Sequence, residues 1–257
     1  MTPWHISAAT FSGRAVRRFV RSPEAIVNTV IFPLLLLFAI FAAFATSVEA
    51  FEGDNYAQRL VPGLVVSGLM FGSVGAAVGL QKDIQTGFMA RIRTMPVRPS
   101  TTIVGVVAAE VVRAAAALLV LGSVGYALGF RFEGGALRTL LIFPVAVLIG
   151  IAMTMPGLAF ATMTKTTEAL SAPLGALYLV LMFMSAAMVP IEAYPDWAQP
   201  IVRASPVAAF VRVLDRLGRG GDLGRPVLWA ILWAAVLIIG FGALAVRRLA
   251  GPAPSAT

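Results

Sequence analysis

The chain has no cysteine and a single histidine, His5. No disulfide, thiolate nucleophile or cysteine metal site is available, and one histidine builds neither a histidine zinc motif nor, with His5 placed as an interfacial N-terminal residue, a Ser-His-Asp triad. Charge is scarce as well. Only 12% of the 257 residues are charged, where a soluble domain carries about 25%. Lysine is nearly absent. Lys82 follows Gln81 and Lys165 follows Thr164, so neither completes the Gly-Lys step of a Walker A phosphate loop. If ATP drives this protein, another subunit must bind it. Carboxylates sit mostly in loops, and Glu110 is the one deep inside an apolar run, which argues against a multi-carboxylate ion relay. Nothing in the sequence marks an enzyme, and no cofactor or metal is expected on this chain.

Apolar residues make up 59% of the chain. That balance describes an all-α, polytopic membrane protein with a single transmembrane domain. The net charge of +8 comes from arginines beside apolar runs, where they set membrane orientation, so nucleic acid is not an expected partner. Six spans are predicted, at about 26–48, 60–80, 102–130, 140–163, 170–189 and 227–246. Each run approaches or exceeds the roughly 20 residues that the hydrocarbon core requires. Pro33 should kink the first, and Pro144 and Pro156 interrupt the fourth. Residues 3–22 have no apolar core of spanning length. Trp4, Ala8, Phe11, Ala15 and Phe19 form one stripe with Arg14, Arg17 and Arg21 beside it, the pattern of a helix lying in the membrane surface among anionic headgroups. Arg17-Arg18 and Ala43-Phe44-Ala45 also have the look of an export leader and its cleavage site, but the apolar run is too long for one and five more spans follow. The tail 251–257 reads as disordered.

Within this frame a few residues stand out. Gly68, Gly72, Gly75 and Gly79 share one face of span two, as small residues do where membrane helices approach closely; a glycine-lined substrate path is the alternative. Glu110 and Arg113 are three residues apart on one face of span three. An ionised group at membrane depth costs about 2.5–3.5 kcal/mol on insertion scales, so the two form a mutually neutralising pair, with a substrate contact as the alternative. The longest connection carries Pro190, Pro195, Trp197 and the helix-start signature Ser205-Pro206. Its apolar, proline-punctuated stretch 190–217 suits a re-entrant or surface-lying helical pair. Arg14, Arg17, Arg18 and Arg21 before span one, and Lys82, Arg91, Arg93 and Arg98 after span two, against Arg59 alone between them, set both termini inside. The margin is narrow, because Arg203, Arg212, Arg216, Arg219 and Arg225 lie in an outer connection. On that orientation 190–217 is extracytoplasmic.

The segment 81–97 organises the whole. Ile84, Phe88, Ile92 and Met95 repeat at helical spacing opposite Lys82 and Arg93, and Pro96 ends the run. The plain alternative is a solvated basic loop. Tyr56, Val61-Pro62-Gly63, Asp83, Gly87, Arg91 and Pro96, together with FMSAAMVPIEAYPDWAQPIVRASPVAAFVR at 183–212, give the chain a close resemblance to permease subunits of ABC-2 type transporters. DIQTGFMARIRTMPVRPS is most similar to the daunorubicin/doxorubicin-resistance subgroup. The resemblance covers about 10–250. Ala90 departs from it, since many relatives are acidic there. It implies a bacterial plasma-membrane exporter of amphiphilic drugs or lipids, built from a pair of permease subunits and a pair of ATPase subunits that bind ATP and Mg. It also implies that 81–97 is the coupling helix, with Asp83, Ile84, Gly87, Phe88, Arg91, Ile92 and Pro96 at the ATPase contact. Competing expectations are an ATP-independent transporter or channel using Glu110 and Arg113, and a membrane scaffold.

Overall fold

The computed structural model describes residues 13, 16–17, 19–36, 38–39, 41–42, 56–88, 100–183, 185, 191 and 194–250. These are helices and the turns that connect them, with no strand among the described residues. Helix α1 starts at Pro23–Ile26, passes through a π turn at Val27–Ile31 and continues to Leu36. Then come α2 (Tyr56–Gln85), α3 (Ser100–Ala127), α4 (Ala136–Ala161), α5 (Thr167–Phe183), α6 (Gln199–Ala204) and α7 (Pro206–Arg219). Helix α8 runs Gly224–Ala235, a π segment Val236–Phe241, and Gly242–Ala250.

Among the described residues four helices are long and apolar enough to cross a membrane: Ala57–Gln85, Gly105–Ala127, Ala136–Ala161 and Gly224–Leu249. They overlap the expected spans 60–80, 102–130, 140–163 and 227–246. Val27–Leu36 and Thr167–Phe183 are apolar but shorter. Span five was expected to reach 189; its helix ends at Phe183, and 186–189 lie outside the described residues, as do 43–48 of the first expected span. Pro144 and Pro156 do not interrupt α4, which is continuous through both. A membrane helix tolerates such prolines where neighbouring groups take up the freed carbonyls. Helix α3 stops short of the expected 130. Gly129 turns the chain at φ 108° and Phe130 N donates back to Gly125 O at 2.8 Å.

Helix α2 is the axis of the bundle. It packs on α1, α3, α4, α5 and α7, and 83% of its apolar window is buried within the protein, against 22% for α8. Leu60, Leu64, Leu69 and Met70 of α2 are fully buried beside Ile149 of α4. Lipid would meet the outward faces, where Leu119, Leu140, Leu228 and Ile239 are largely exposed. Exposed apolar surface on this scale belongs in a bilayer.

Pro33 distorts α1 as a π turn. It has no N–H to give the Thr29 carbonyl, and Phe32 N donates five residues back, to Val27 O. The Thr29 carbonyl faces α2 instead, where a Cβ on Gly68 would come within 2.6 Å of it. Glycine is what admits this contact.

Candidate functional site

Three polar regions are built around α2. The first is its lower end. Residues 81–85, expected to open a separate helix, continue α2 without a break. Ile84 packs on the core and Asp83 is buried. The turn comes at Thr86-Gly87: Thr86 N donates to Lys82 O at 3.0 Å, Gly87 N to Ile84 O at 3.1 Å, and Gly87 has φ +67°. A Cβ there would meet nothing within 4 Å. The glycine therefore serves the left-handed helix end. Phe88 is half-buried. Arg91, Ile92 and Pro96 lie outside the described residues.

Two glutamines tie this end of α2 to the α4–α5 connection. Gln81 Nε2 donates to Thr164 O at 2.6 Å, and Gln85 Nε2 to Lys165 O at 2.8 Å. They sit four apart on one helical face, so their amides reach consecutive carbonyls. Neither was singled out from the sequence. Gln81 is almost wholly buried, an expensive place for an amide without a partner.

The second region is a polar layer in the middle of the bundle. Arg113 Nη1 pairs with Glu110 Oε1, and Thr154 Oγ1 of α4 donates to the same oxygen at 2.7 Å. Glu110 and Arg113 are buried, so sharing the charge offsets the cost of desolvating it. Gly150, one turn before Thr154, makes room: a Cβ there would lie 2.8 Å from Glu110 Oε2. Gly72 does the same for Arg113 and Thr29, whose Cδ and Oγ1 crowd its face. A Cβ on Gly68 would also meet Pro33 and Leu121, at 3.4 and 3.5 Å. Gly75 is half-exposed and Gly79 buried. The Phe19 ring, expected on a membrane-facing stripe, is turned inward and lies 5.3 Å from the Arg113 guanidinium carbon, within cation–π range. One residue along each of α2 and α4 the layer continues. Tyr178 of α5 donates to Met153 O at 2.7 Å, and Ser73 Oγ lies 3.3 Å from its hydroxyl. Thr154, Ser73 and Gly150 have no mark of their own in the sequence; only the packing of α2, α3, α4 and α5 makes them a set.

The third region is the α6–α7 hairpin. Ser205 caps α7, accepting from Ala208 N at 3.1 Å, with Pro206 at the first helical position. Val207–Val211 and Leu214 are buried against α2, α4 and α8. Glu133 N and Gly134 N both donate to Gly218 O, at 2.8 and 2.9 Å, and Gln58 Nε2 donates to Arg131 O at 3.0 Å. These bonds join the far end of α7, the start of α2 and the α3–α4 connection at one end of the bundle, opposite Gly87. Tyr194 donates to Phe183 O at 2.6 Å, and burial pushes its phenol pKa up. Pro195 and Trp197 are exposed, and Pro190 lies outside the described residues. No group of histidines and carboxylates suited to a metal occurs among the described residues.

Residues 8–215 match the family model of the ABC-2 type transporter. Over 228 residues the chain is 24% identical to the probable doxorubicin resistance ABC transporter permease protein DrrC of Mycobacterium tuberculosis, covering 89% of this chain and 82% of that one. It is 30% identical over 199 residues to the daunorubicin resistance ABC transporter permease protein DrrB1 of Streptomyces coeruleorubidus, covering 76% and 69%. It is 23% identical over 252 residues to nodulation protein J of Azorhizobium caulinodans, covering 93% of each.

Proposed function

Because the chain belongs to the ABC-2 type transporter family as a multi-pass membrane permease and not an enzyme, we propose that it is the membrane subunit of an ATP-driven exporter that moves amphiphilic drugs or lipids out across the bacterial plasma membrane. A separate pair of ATPase subunits holds ATP and Mg, and a second permease, identical or related, completes the pathway. In this reading the chain crosses the membrane six times with both termini cytoplasmic. The 81–97 segment sits on the ATPase, and 190–217 caps the outer end.

The observation that supports it best is the course of α2. One helix runs through the centre of the bundle and ends at a glycine turn, leading straight into the segment that would meet the ATPase. Gln81 and Gln85 fasten that end to the α4–α5 connection. Force applied beyond Gly87 would therefore reach α2, α4 and α5 together. The test is co-purification of the detergent-solubilised protein with candidate ATPase subunits, wild type beside Gly87→Arg and Arg91→Glu. The expected result is that an ATPase co-purifies with the wild type and that both variants insert in the membrane but fail to transport. Efflux at the wild-type rate in both variants would remove the coupling role from 81–97.

A second reading is an ATP-independent transporter or channel that uses Glu110 and Arg113. It draws on Glu110 Oε2, a buried oxygen without a hydrogen-bond partner among the described residues. In that case Glu110→Gln would abolish an ion-dependent flux in the absence of any ATPase.

A further inference from the structure

The α6–α7 hairpin dips into the depth of the membrane, and it carries two arginines with it. Trp233 of α8 donates its indole N–H to Ala204 O, at the hairpin's turn, at 3.0 Å. Trp233 lies nine positions beyond Gly224, where α8 begins, so the turn sits about 14 Å along α8 from that end. Helix α8 has 26 residues over Gly224–Leu249, about 39 Å, close to the ~40–45 Å of a bilayer with its headgroups. The turn is therefore below the headgroups, while the other end of α7 is anchored at Gly218 in the surface connection.

Arg203 and Arg212 meet at this turn. Arg212 Nη2 donates to the main-chain Arg203 O at 2.6 Å. Neither pairs with a carboxylate among the described residues. Arg203 reaches the Gln199 amide oxygen at 3.4 Å, and Gln199 in turn contacts Asp196 at 3.4 Å. Asp215 is engaged with Arg219 at 2.7 Å. Two arginines at one turn at this depth are costly unless an anion joins them. Arg203 is exposed and Arg212 half-buried, so the pair is open to a ligand. The surface beside them is apolar: Trp197, Ile201, Trp229 and Leu232 are exposed.

We propose that Arg203 and Arg212 form a site for the acidic headgroup, a phosphate or a similar anion, of an amphiphile whose chains lie along Ile201 and the exposed face of α8. Arginine is suited to this, since its planar fork meets a phosphate with two parallel bonds. The same site is hostile to cationic amphiphiles. It depends on the depth of the hairpin and not on which ATPase drives the protein, so it stands or falls separately from the coupling role of 81–97.

The test is titration of the detergent-solubilised full chain with phosphatidylglycerol and with phosphatidylcholine of the same acyl chains, read by native mass spectrometry. Wild type should hold phosphatidylglycerol about ten-fold more tightly, the factor that 1.4 kcal/mol supplies. Arg203→Gln, which gives up only the Gln199 contact, should bring the two lipids within about two-fold while its thermal unfolding stays that of the wild type. Arg212→Lys should retain the preference. Equal binding of both lipids to the wild type would overturn the proposal. So would a preference that survives both Arg203→Gln and Arg212→Gln, because the anion would then bind elsewhere. Inorganic phosphate at constant ionic strength should fail to displace the lipid; displacement would mean a water-facing anion site and would also overturn it.

Discussion

Gly72→Ala is a one-carbon change whose cost can be worked from the packing. The new Cβ would fall inside contact distance of Thr29 Oγ1, 2.8 Å from Arg113 Cδ and 3.3 Å from Thr29 Cβ. Neither neighbour gives way easily. Thr29 is wholly buried in the π turn of α1, and Arg113 is buried and held by Glu110. Overpacking of this kind costs about 1–3 kcal/mol. Thr29 Oγ1 has no hydrogen-bond partner among the described residues, so Thr29→Ala removes the tightest of these contacts without breaking a bond and leaves the one with Arg113 Cδ. In a double-mutant cycle the two changes should couple favourably, by about 0.5–3 kcal/mol. Gly122→Ala is the control, since a Cβ there would meet nothing within 4 Å; it should cost nothing. The assay is thermal unfolding of the detergent-solubilised protein followed by tryptophan emission. Gly72→Ala as stable as the wild type, or no rescue by Thr29→Ala, would refute the close α1–α2 contact on which the central layer rests.

Two further outcomes follow from the same geometry. Glu110→Gln should destabilise the fold by about 3–5 kcal/mol, because it leaves Arg113 buried without its counter-charge, and Glu110→Gln with Arg113→Met should recover most of that in the same unfolding assay. Gln81→Leu with Gln85→Leu removes both bonds to the α4–α5 connection, each worth about 1 kcal/mol. Hydrogen exchange at residues 164–166 should then speed up several-fold while exchange in the centre of α2 is unchanged; no change at 164–166 would show that the glutamines hold nothing there.

Apolar run length made α2, α3, α4 and α8 legible, because a helix that crosses lipid must satisfy its own backbone over roughly 20 residues. The start of α7 was legible from Ser205-Pro206, whose cap is local chemistry. What the chain does between elements was not. Pro33 announces a distortion, but its form as a π turn depends on Gly68 leaving room for the Thr29 carbonyl. Glu110 and Arg113 are visible as a pair from their spacing, yet Thr154, Gly150 and Tyr178 join them only once α3, α4 and α5 pack around α2. Gly87 stood out only as part of the family pattern; that it ends α2 through its backbone freedom is visible in the turn alone. Gln81 and Gln85 resemble any polar residues at a helix end until the 164–166 connection is brought beside them.

The most direct test of the account is transport in sealed, inverted membrane vesicles that carry this chain with and without its ATPase. Uptake of an amphiphilic cargo should require ATP and both subunits, and should fail with Gly87→Arg while the ATPase alone still hydrolyses ATP. Uptake driven by an ion gradient with no ATPase present, and lost with Glu110→Gln, would contradict the ATP-driven reading and make the buried Glu110–Arg113 pair the working part.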